Sequence, residues 1–131
     1  SALARRQAPS GLWPQVLDAD ALEGNYEESS ASAMFSYALL RAARLGLGEG
    51  EEAAHWRAAG QRALDALTST RLAEVDGTLR MTGICHVAGL GALSGPYRDG
   101  TPGYYLTEPI VFDDAKGVGP LMMAYAEAIR L

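Results

Sequence analysis

Two stretches of this sequence are rich in side chains that could bind a ligand. The first polar segment covers residues 13–30 and the second covers residues 83–114; both combine aromatic rings with carboxylates and polar groups. Sugars present flat C–H faces that stack on rings and hydroxyls that pair with polar groups, so this mixture favours a carbohydrate pocket. The candidate substrate-binding residues are Trp13, Gln15, Glu28, His86, Tyr97, Arg98, Tyr104 and Tyr105.

Structural roles compete with ligand binding for several of these polar and aromatic residues. Trp13 could fill the core rather than stack on a sugar. Ser29 and Ser30 precede an apolar run, where hydroxyls cap a helix. Asp113 and Asp114 precede a second apolar run, where negative charge favours the helix dipole. Arg98 stands in a Tyr-Arg-Asp-Gly turn and is either a partner for a ligand carboxylate or a solvated turn residue.

Other kinds of chemistry find little support in the sequence. Cys85 stands beside His86, but adjacent residues seldom place a thiolate usefully against an imidazole, and no third group that would orient them is evident. Two histidines and one cysteine show no metal-ligand spacing. The Gly117-Val118-Gly119 stretch lacks the third glycine and the preceding strand of a dinucleotide fingerprint. The residues therefore predict no metal site and no dinucleotide site, and they disfavour nucleophilic catalysis by Cys85.

Composition limits the class of protein and its partners. The chain has 131 residues, enough for one domain over 1–131, and a formal net charge of −5. That charge gives no electrostatic case for nucleic acid or an anionic membrane. No apolar run approaches the ~20 residues of a membrane span, and no basic-then-apolar leader is evident. Cys85 is the only cysteine, so no internal disulfide can form, which fits a reducing, cytoplasmic location.

Three helices are expected to position the two polar segments. The stretch Asn25–Leu45 predicts a helix with a polar entry at Glu28-Ser29-Ser30, and the residues Ala19–Glu28 before that entry predict a loop. From Ala31 onward the helix is apolar on nearly all sides and should be buried within a layer of helices. About Glu51–Thr68 is amphipathic, with one face in water, and returns antiparallel after a short glycine-rich connection. Gly117–Leu131 is again apolar nearly all round and predicts a second inner helix. One amphipathic helix cannot cover both inner helices, so we expect them to pack against another copy or against further helices.

The region between the second and third helices, Leu72–Asp114, is glycine-rich and predicted to be irregular. Val75-Asp76-Gly77-Thr78-Leu79 fits a small hairpin turn between short strands. An irregular stretch this long is uncommon in a compact domain and is usually functional. If the two inner helices run parallel, both polar segments lie at the same end of the helices.

Several motifs follow one another along the chain: Gly11–Asp18, Glu28–Phe35, Cys85–Gly91, Tyr97–Gly100 with Tyr104-Tyr105, and Glu108-Pro109 followed by Asp114 and Gly117–Pro120. In this order they resemble the motifs of the unsaturated rhamnogalacturonyl hydrolases, glycoside hydrolase family 105. The resemblance covers nearly the whole chain from Gly11, and the sequence departs from the family pattern at Pro14 and at Pro102-Gly103.

This resemblance implies a fold and a reaction. The fold class is all-α: the C-terminal part of an (α/α)6 barrel with long irregular loops and room for a small hairpin. The implied reaction removes an unsaturated uronic acid from pectin-derived oligosaccharides. A carboxylic acid protonates the C4–C5 double bond and water adds, which is general acid–base chemistry rather than direct attack at the acetal. The implied partner is an oligosaccharide, and no cofactor is implied.

The family's catalytic aspartates and its Trp/Arg motif lie upstream of the matched region, and no residue here corresponds to them. The chain is therefore interpreted as the C-terminal portion of such an enzyme, inactive alone. It is expected to associate with itself or with the missing N-terminal part of the barrel. Two alternatives remain: a non-catalytic helical module that binds carbohydrate or protein, and an unrelated helical scaffold.

Overall fold

The computed structural model describes residues 1–92, 95 and 97–130. The chain is rich in helix, as predicted, and its strands are short. The last residue of the predicted third helix, Leu131, lies outside the described residues. The elements in chain order are a 3-10 turn Ala4–Arg6, α1 Ser29–Arg44, α2 Glu51–Thr70, β1 Leu72–Val75, β2 Thr78–Met81, β3 Ile84–Cys85, α3 Pro102–Tyr105, β4 Ile110–Val111 and α4 Ala115–Ala128.

Helix α1 begins at Ser29, directly after the loop predicted over Ala19–Glu28. Residues 25–28 are not helical, and Glu28 has extended backbone angles. Its carboxylate accepts a hydrogen bond from the Ala31 backbone N–H at 2.5 Å, so Glu28 is the N-cap. A residue whose side chain caps the helix stands outside it. The polar entry therefore caps α1 as predicted, but through the Glu28 carboxylate and not through a serine hydroxyl.

Helices α1 and α4 pack side by side and run parallel. At their N-terminal ends, a Cβ built on Gly117 would lie 3.4 Å from the Ser30 Cβ and 2.7 Å from the Ile84 Cδ1. At their C-terminal ends, the Glu127 carboxylate accepts hydrogen bonds from Arg41 Nη1 at 2.7 Å and Arg44 Nε at 2.5 Å. Glycine at position 117 thus allows a close approach that a larger side chain would prevent.

Helix α2 packs against α1 through a second close approach. A Cβ on Gly60 would lie 2.8 Å from the Leu40 Cγ, and Ser36 Oγ donates a hydrogen bond to the Gly60 carbonyl at 2.8 Å. The main core contains Leu12, Ala33, Leu40, Leu64, Ala66, Leu67, Met81, Ile84, Leu121 and Ala124. A second cluster contains Ala4, Trp13, Leu39, Ala59 and Ala63.

The inner helices are not buried on all sides within this chain, as expected when one amphipathic helix has to cover both of them. Met122, Met123 and Ile129 on and just after α4 are 68%, 45% and 85% exposed, and Met34 on α1 is 40% exposed. The physical reason is that α2 and the irregular segments cover only part of each helix. No described helix is both long enough and apolar enough to cross a membrane.

The irregular region holds more regular structure than the sequence predicts. The hairpin is confirmed: β1 pairs antiparallel with β2, Leu72 opposite Met81 and Val75 opposite Thr78. Asp76 and Gly77 both have positive φ, as a tight hairpin turn requires. The sequence analysis missed the pair β3–β4, with Cys85 opposite Ile110, and the single turn of α3.

Glu127 is a buried carboxylate held by arginines at the C-terminal ends of α1 and α4. It is 2% exposed and contacts Arg41 and Arg44, with Arg130 at 4.0 Å. The hydrogen bond from Arg44, and then that from Arg41, outweigh burial and lower the pKa of Glu127 from 4.5 to about 2. Glu127 is therefore ionised at neutral pH and neutralises two cations on α1.

Replacing Glu127 with glutamine should lower the free energy of unfolding by about 1.5–3 kcal/mol at pH 7, because charge-assisted hydrogen bonds are lost. Urea unfolding measures this change. Glu52→Gln is the matched control, since Glu52 is exposed and lies 3.6 Å from the N-terminal amine; it should cost less than about 1 kcal/mol.

The same variant also tests the pH dependence. The native pKa of Glu127 is depressed, so its contribution is complete above the unfolded value of 4.5 and is lost as pH falls toward about 2. The difference in the free energy of unfolding between the parent protein and Glu127→Gln should therefore become smaller as the pH falls from 4.5 toward about 2. A constant difference would contradict the assignment.

Candidate functional site

The two polar segments meet at the N-terminal ends of α1 and α4. The Ser29 backbone N–H donates to the Gly83 carbonyl at 2.9 Å, and the Cys85 backbone N–H donates to Glu28 Oε1 at 2.8 Å. Asp114, at the end of the second segment, caps α4 by accepting from the Lys116 backbone N–H at 3.0 Å. The parallel helices thus place both segments at one end of the molecule.

Glu28, predicted to bind substrate, is a buried connector in this structure. It is 2% exposed. Its carboxylate accepts from the Ser30 hydroxyl at 2.8 Å, in addition to the backbone N–H groups of Ala31 and Cys85. These donors occupy both carboxylate oxygens, so the geometry favours a role in joining the two segments.

Trp13, also predicted to bind substrate, lies in the core. Its side chain has no exposed surface. The indole Nε1 donates to the Leu3 carbonyl at 2.9 Å, and the ring meets Phe35 edge-on with centroids 5.3 Å apart. This geometry is that of a core residue, the structural alternative, and leaves no face on which a sugar could stack.

Three of the predicted residues line one surface pocket, which we call the tyrosine–arginine pocket. It has a volume of about 350 Å³. Arg98 Nε lies 3.4 Å from Glu108 Oε1, and the Tyr104 hydroxyl donates to the same oxygen. Arg98 remains 28% exposed, whereas Glu108 is 11% exposed. The lining residues are Tyr97, Arg98, Asp99, Tyr104, Thr107 and Glu108.

Local hydrogen bonds set the protonation states in this pocket. Burial, followed by the hydrogen bond to Glu108, raises the pKa of Tyr104, so its hydroxyl stays protonated at neutral pH. The Thr101 backbone N–H and hydroxyl donate to Asp99 Oδ1 at 2.9 and 2.8 Å and lower the pKa of Asp99. The pocket therefore offers a cation and carboxylate acceptors, which suits a sugar that bears both a carboxylate and hydroxyls.

Gln15 contacts Tyr105, the neighbour of the pocket residue Tyr104. The Gln15 side-chain amide donates to Cys85 Sγ at 3.3 Å and to the Tyr105 carbonyl at 3.4 Å. The rings of Tyr104 and Tyr105 lie 5.0 Å apart at 52°. Gln15 thus connects the first polar segment to the tyrosine pair in the second.

Tyr26 adds a buried hydroxyl to this region. Its oxygen has no hydrogen-bond partner among the described residues. Burial is the first cause of its raised pKa, and the neighbouring Cys85, Glu28 and Glu108 raise it further. Tyr26 is therefore protonated at neutral pH and contributes no charge.

His86 stands apart from the tyrosine–arginine pocket. Its side chain is 57% exposed, and Nδ1 lies 3.9 Å from Asp114 Oδ2. Lys116 Nζ lies 3.1 Å from the same carboxylate oxygen and donates to the His86 carbonyl at 2.8 Å. Cys85 is buried and its thiol donates to the Val87 carbonyl at 3.4 Å, so it is not paired with the His86 ring.

Glu108, Asp99 and Thr107 also line the pocket but were not among the predicted substrate-binding residues. Glu108 was recognised only as a member of the second polar segment and of a family motif. The spacing Tyr104-x-x-x-Glu108 was an available signal, because the single turn of α3 brings residue 108 back beneath residue 104. Among the described residues, no group of three His, Cys, Asp or Glu side chains is placed to hold a metal ion.

A family model described as Glycosyl Hydrolase Family 88 matches residues 1–131. Two curated relatives, Protein Atu3128 of Agrobacterium fabrum and the 24.9 kDa protein in picA locus of Rhizobium radiobacter, are each 68% identical over 128 residues. Those matches cover 96% of this chain and 54% of each relative, so the chain spans about half the length of these relatives.

Solved structures give the same picture. A glycoside hydrolase from family 105 of C. acetobutylicum is 38% identical, with a TM-score of 0.86, covering 99% of this chain and 35% of that one. A possible family 105 member from Salmonella enterica is 24% identical, with a TM-score of 0.76, covering 98% of this chain and 29% of that one. The second likeness shows the fold alone.

Glu28→Ala should lower the free energy of unfolding by about 2 kcal/mol or more. The change removes a helix cap, worth about 1 kcal/mol, and leaves the buried Cys85 N–H unpaired, at about 1–3 kcal/mol. Thermal and urea unfolding measure it. Glu51→Ala, in the exposed first turn of α2, is the control and should cost less than about 1 kcal/mol. Equal losses in the two variants would contradict the connector role.

Proposed function

The chain belongs to glycosyl hydrolase family 88, and from this membership and its likeness to family 105 structures we propose that it forms one wall of the sugar pocket of a glycosidase. The observation that carries the proposal is the tyrosine–arginine pocket. There, Arg98 is oriented by Glu108 at 3.4 Å and remains partly open to solvent. Its Nε faces Glu108, which leaves the two Nη groups for a ligand carboxylate.

We propose an unsaturated uronic acid, at the non-reducing end of a rhamnogalacturonan oligosaccharide, as the substrate group. A carboxylic acid protonates C4–C5 of this enol ether, water adds, and the resulting hemiketal releases the sugar. In this proposal Arg98 binds the uronate and the tyrosines contact the sugar ring. Glu108 is held by Arg98 and Tyr104, so it positions Arg98 rather than supplying the proton.

The proposal also includes the rest of a barrel. The exposed apolar faces of α1 and α4 would be covered by further helices of an (α/α)6 barrel, whose catalytic acids lie outside this chain. The likeness to family 105 structures of about three times this length supports that arrangement. We also propose a cytoplasmic location, supported by the reduced, buried Cys85.

Titration with an unsaturated galacturonyl-rhamnose disaccharide tests the pocket. Calorimetry should detect binding, and Arg98→Gln should weaken it about tenfold, since one charge-assisted contact is lost. Arg57→Gln is the matched control: Arg57 lies on α2, outside this pocket. The double-bond absorbance should persist throughout, because the proposed catalytic acids are absent.

The outcomes separate the parts of this proposal. Loss of absorbance would show that the chain is active alone and contradict the missing-acid argument. If Arg98→Gln and Arg57→Gln weakened disaccharide binding equally, Arg98 would not be a ligand-binding residue. A third outcome is that neither this chain nor a protein completed with its missing helices turns over the disaccharide. That outcome would favour the alternative of a non-catalytic sugar-binding module.

The exposed apolar face of α4 leads us to expect that copies of this chain associate with one another. Light scattering should give an average mass above 13.9 kDa that rises with concentration, because exposed apolar patches favour contact. Met122→Glu places a charge on that face and should restore the monomer. Leu47→Glu changes a residue that is 70% exposed in the turn after α1 and should leave association unchanged. A parent protein that remains monomeric at every concentration would contradict the argument.

A further inference from the structure

A second pocket lies between the N-terminal residues and the first polar segment. It has a volume of about 550 Å³, and we call it the N-terminal pocket. No residue lines both this pocket and the tyrosine–arginine pocket. The lining residues are Arg5, Arg6, Gln7, Ala8, Pro9, Pro14, Asp20 and Asn25.

One wall of this pocket is a pair of backbone segments joined by an isolated bridge. Pro14 forms an isolated antiparallel bridge with Glu27, and the Gln15 N–H donates to the Tyr26 carbonyl at 2.7 Å. Side chains alternate across extended backbone. Pro14 and Asn25 accordingly line the N-terminal pocket, whereas Gln15 reaches Cys85 on the other side.

Asn25 fixes the shape of this wall. Its Oδ1 accepts from the Val16 N–H at 3.1 Å, and its Nδ2 donates to the carbonyls of Val16 at 2.9 Å and Ala19 at 3.1 Å. Three hydrogen bonds from one amide hold the loop in one conformation. The wall is therefore formed before any ligand arrives, which lowers the entropic cost of binding.

Gln7 fixes the opposite wall. Its Nε2 donates to the carbonyls of Gly11 and Ala59, both at 2.8 Å, and its Oε1 accepts from Arg62. These contacts fasten the residues that follow the 3-10 turn to α2. Both walls of the pocket are thus held by side-chain amides.

Two arginines in this pocket have no partner among the described residues. Of the 11 cationic side chains, only Arg5, Arg6 and Arg57 make no ion pair or side-chain hydrogen bond within the described part of the chain. Two of these three line the same pocket. In a chain of net charge −5, this pocket is locally positive, because its one lining carboxylate, Asp20, offsets only one of the two arginines.

We propose that the N-terminal pocket binds the carboxylate of an uronic acid residue, with Arg5 and Arg6 as its partners. Guanidinium groups recognise carboxylates through paired N–H donors. A volume of about 550 Å³ exceeds the needs of a small inorganic anion and fits a sugar unit or two. Pro9 and Pro14 offer apolar surface for sugar C–H faces, and Asp20 can accept from hydroxyls while disfavouring a dianion such as phosphate.

The choice of an acidic sugar rests on the proposed function, whereas the pocket stands on its own contacts. A substrate with several uronic acids would then bind at two places: through Arg98 in one pocket and through Arg5 and Arg6 in the other. The N-terminal pocket would therefore favour acidic chains over neutral ones of equal length.

Nuclear magnetic resonance titration of the protein with galacturonate tests this inference. Galacturonate should shift the Arg5 and Arg6 Nε–H signals and the Ala8 amide signal. Galactose, its neutral counterpart, should not. The double variant Arg5→Gln/Arg6→Gln should weaken galacturonate binding at these signals about tenfold or more. Arg57→Gln, which removes the third unpartnered arginine, should leave the binding unchanged.

Several results would overturn the inference. The first is that galactose shifts the Arg5, Arg6 and Ala8 signals as much as galacturonate does. The second is that Arg57→Gln weakens galacturonate binding as much as the double variant does. The third is that galacturonate shifts only signals near Arg98. The last result would leave the proposed function standing. Absence of any shift would also overturn the inference, whereas the proposed function is judged separately by the disaccharide titration and the Arg98→Gln variant. Arg5 and Arg6 are exposed, so the double variant should fold.

Discussion

The buried carboxylate of Glu28 is the contact on which the candidate site depends. It caps α1 through Ala31, binds the Ser30 hydroxyl and accepts the backbone N–H of Cys85. A carboxylate that is 2% exposed persists only when donors replace water. Here the donors come from both polar segments, so satisfying Glu28 requires the segments to be brought together. The same requirement holds β3 against the start of α1.

A second buried carboxylate joins α1 and α4 at their C-terminal ends. Glu127 on α4 binds Arg41 and Arg44 on α1. Between these two polar ends lies the main apolar core, with Gly117 allowing close contact near the start of α4. Apolar packing has no direction, whereas these charged contacts do. They therefore fix the parallel alignment that places both N-termini, and the segments before them, together.

The sequence predicted the features that depend on local chemistry and on family resemblance. Asp76-Gly77 predicted the hairpin because few residues tolerate positive φ, and the resemblance to family 105 is confirmed by the family model and by the solved structures. The sequence left open whether Trp13 fills the core or stacks on a sugar, since an aromatic ring suits both. It did not predict the pair β3–β4, because that pair joins residues that are distant in the sequence, such as Cys85 and Ile110. It also did not predict the single turn of α3, which brings Glu108 to Tyr104 in the pocket that Arg98 lines.

Two helix N-termini meet at the site, and such termini usually attract anions. In this chain, however, Glu28 and Asp114 already cap them, and hydrogen bonds from the Lys116 backbone N–H lower the pKa of Asp114. The helix dipoles are therefore occupied by the protein's own carboxylates. With a net charge of −5, the long-range field also repels an acidic sugar. If the protein binds an acidic sugar as proposed, recognition has to come from arginines at contact distance, where a paired guanidinium–carboxylate contact outweighs a screened field. In that proposal the choice between acidic and neutral sugars depends on a few side chains rather than on the fold.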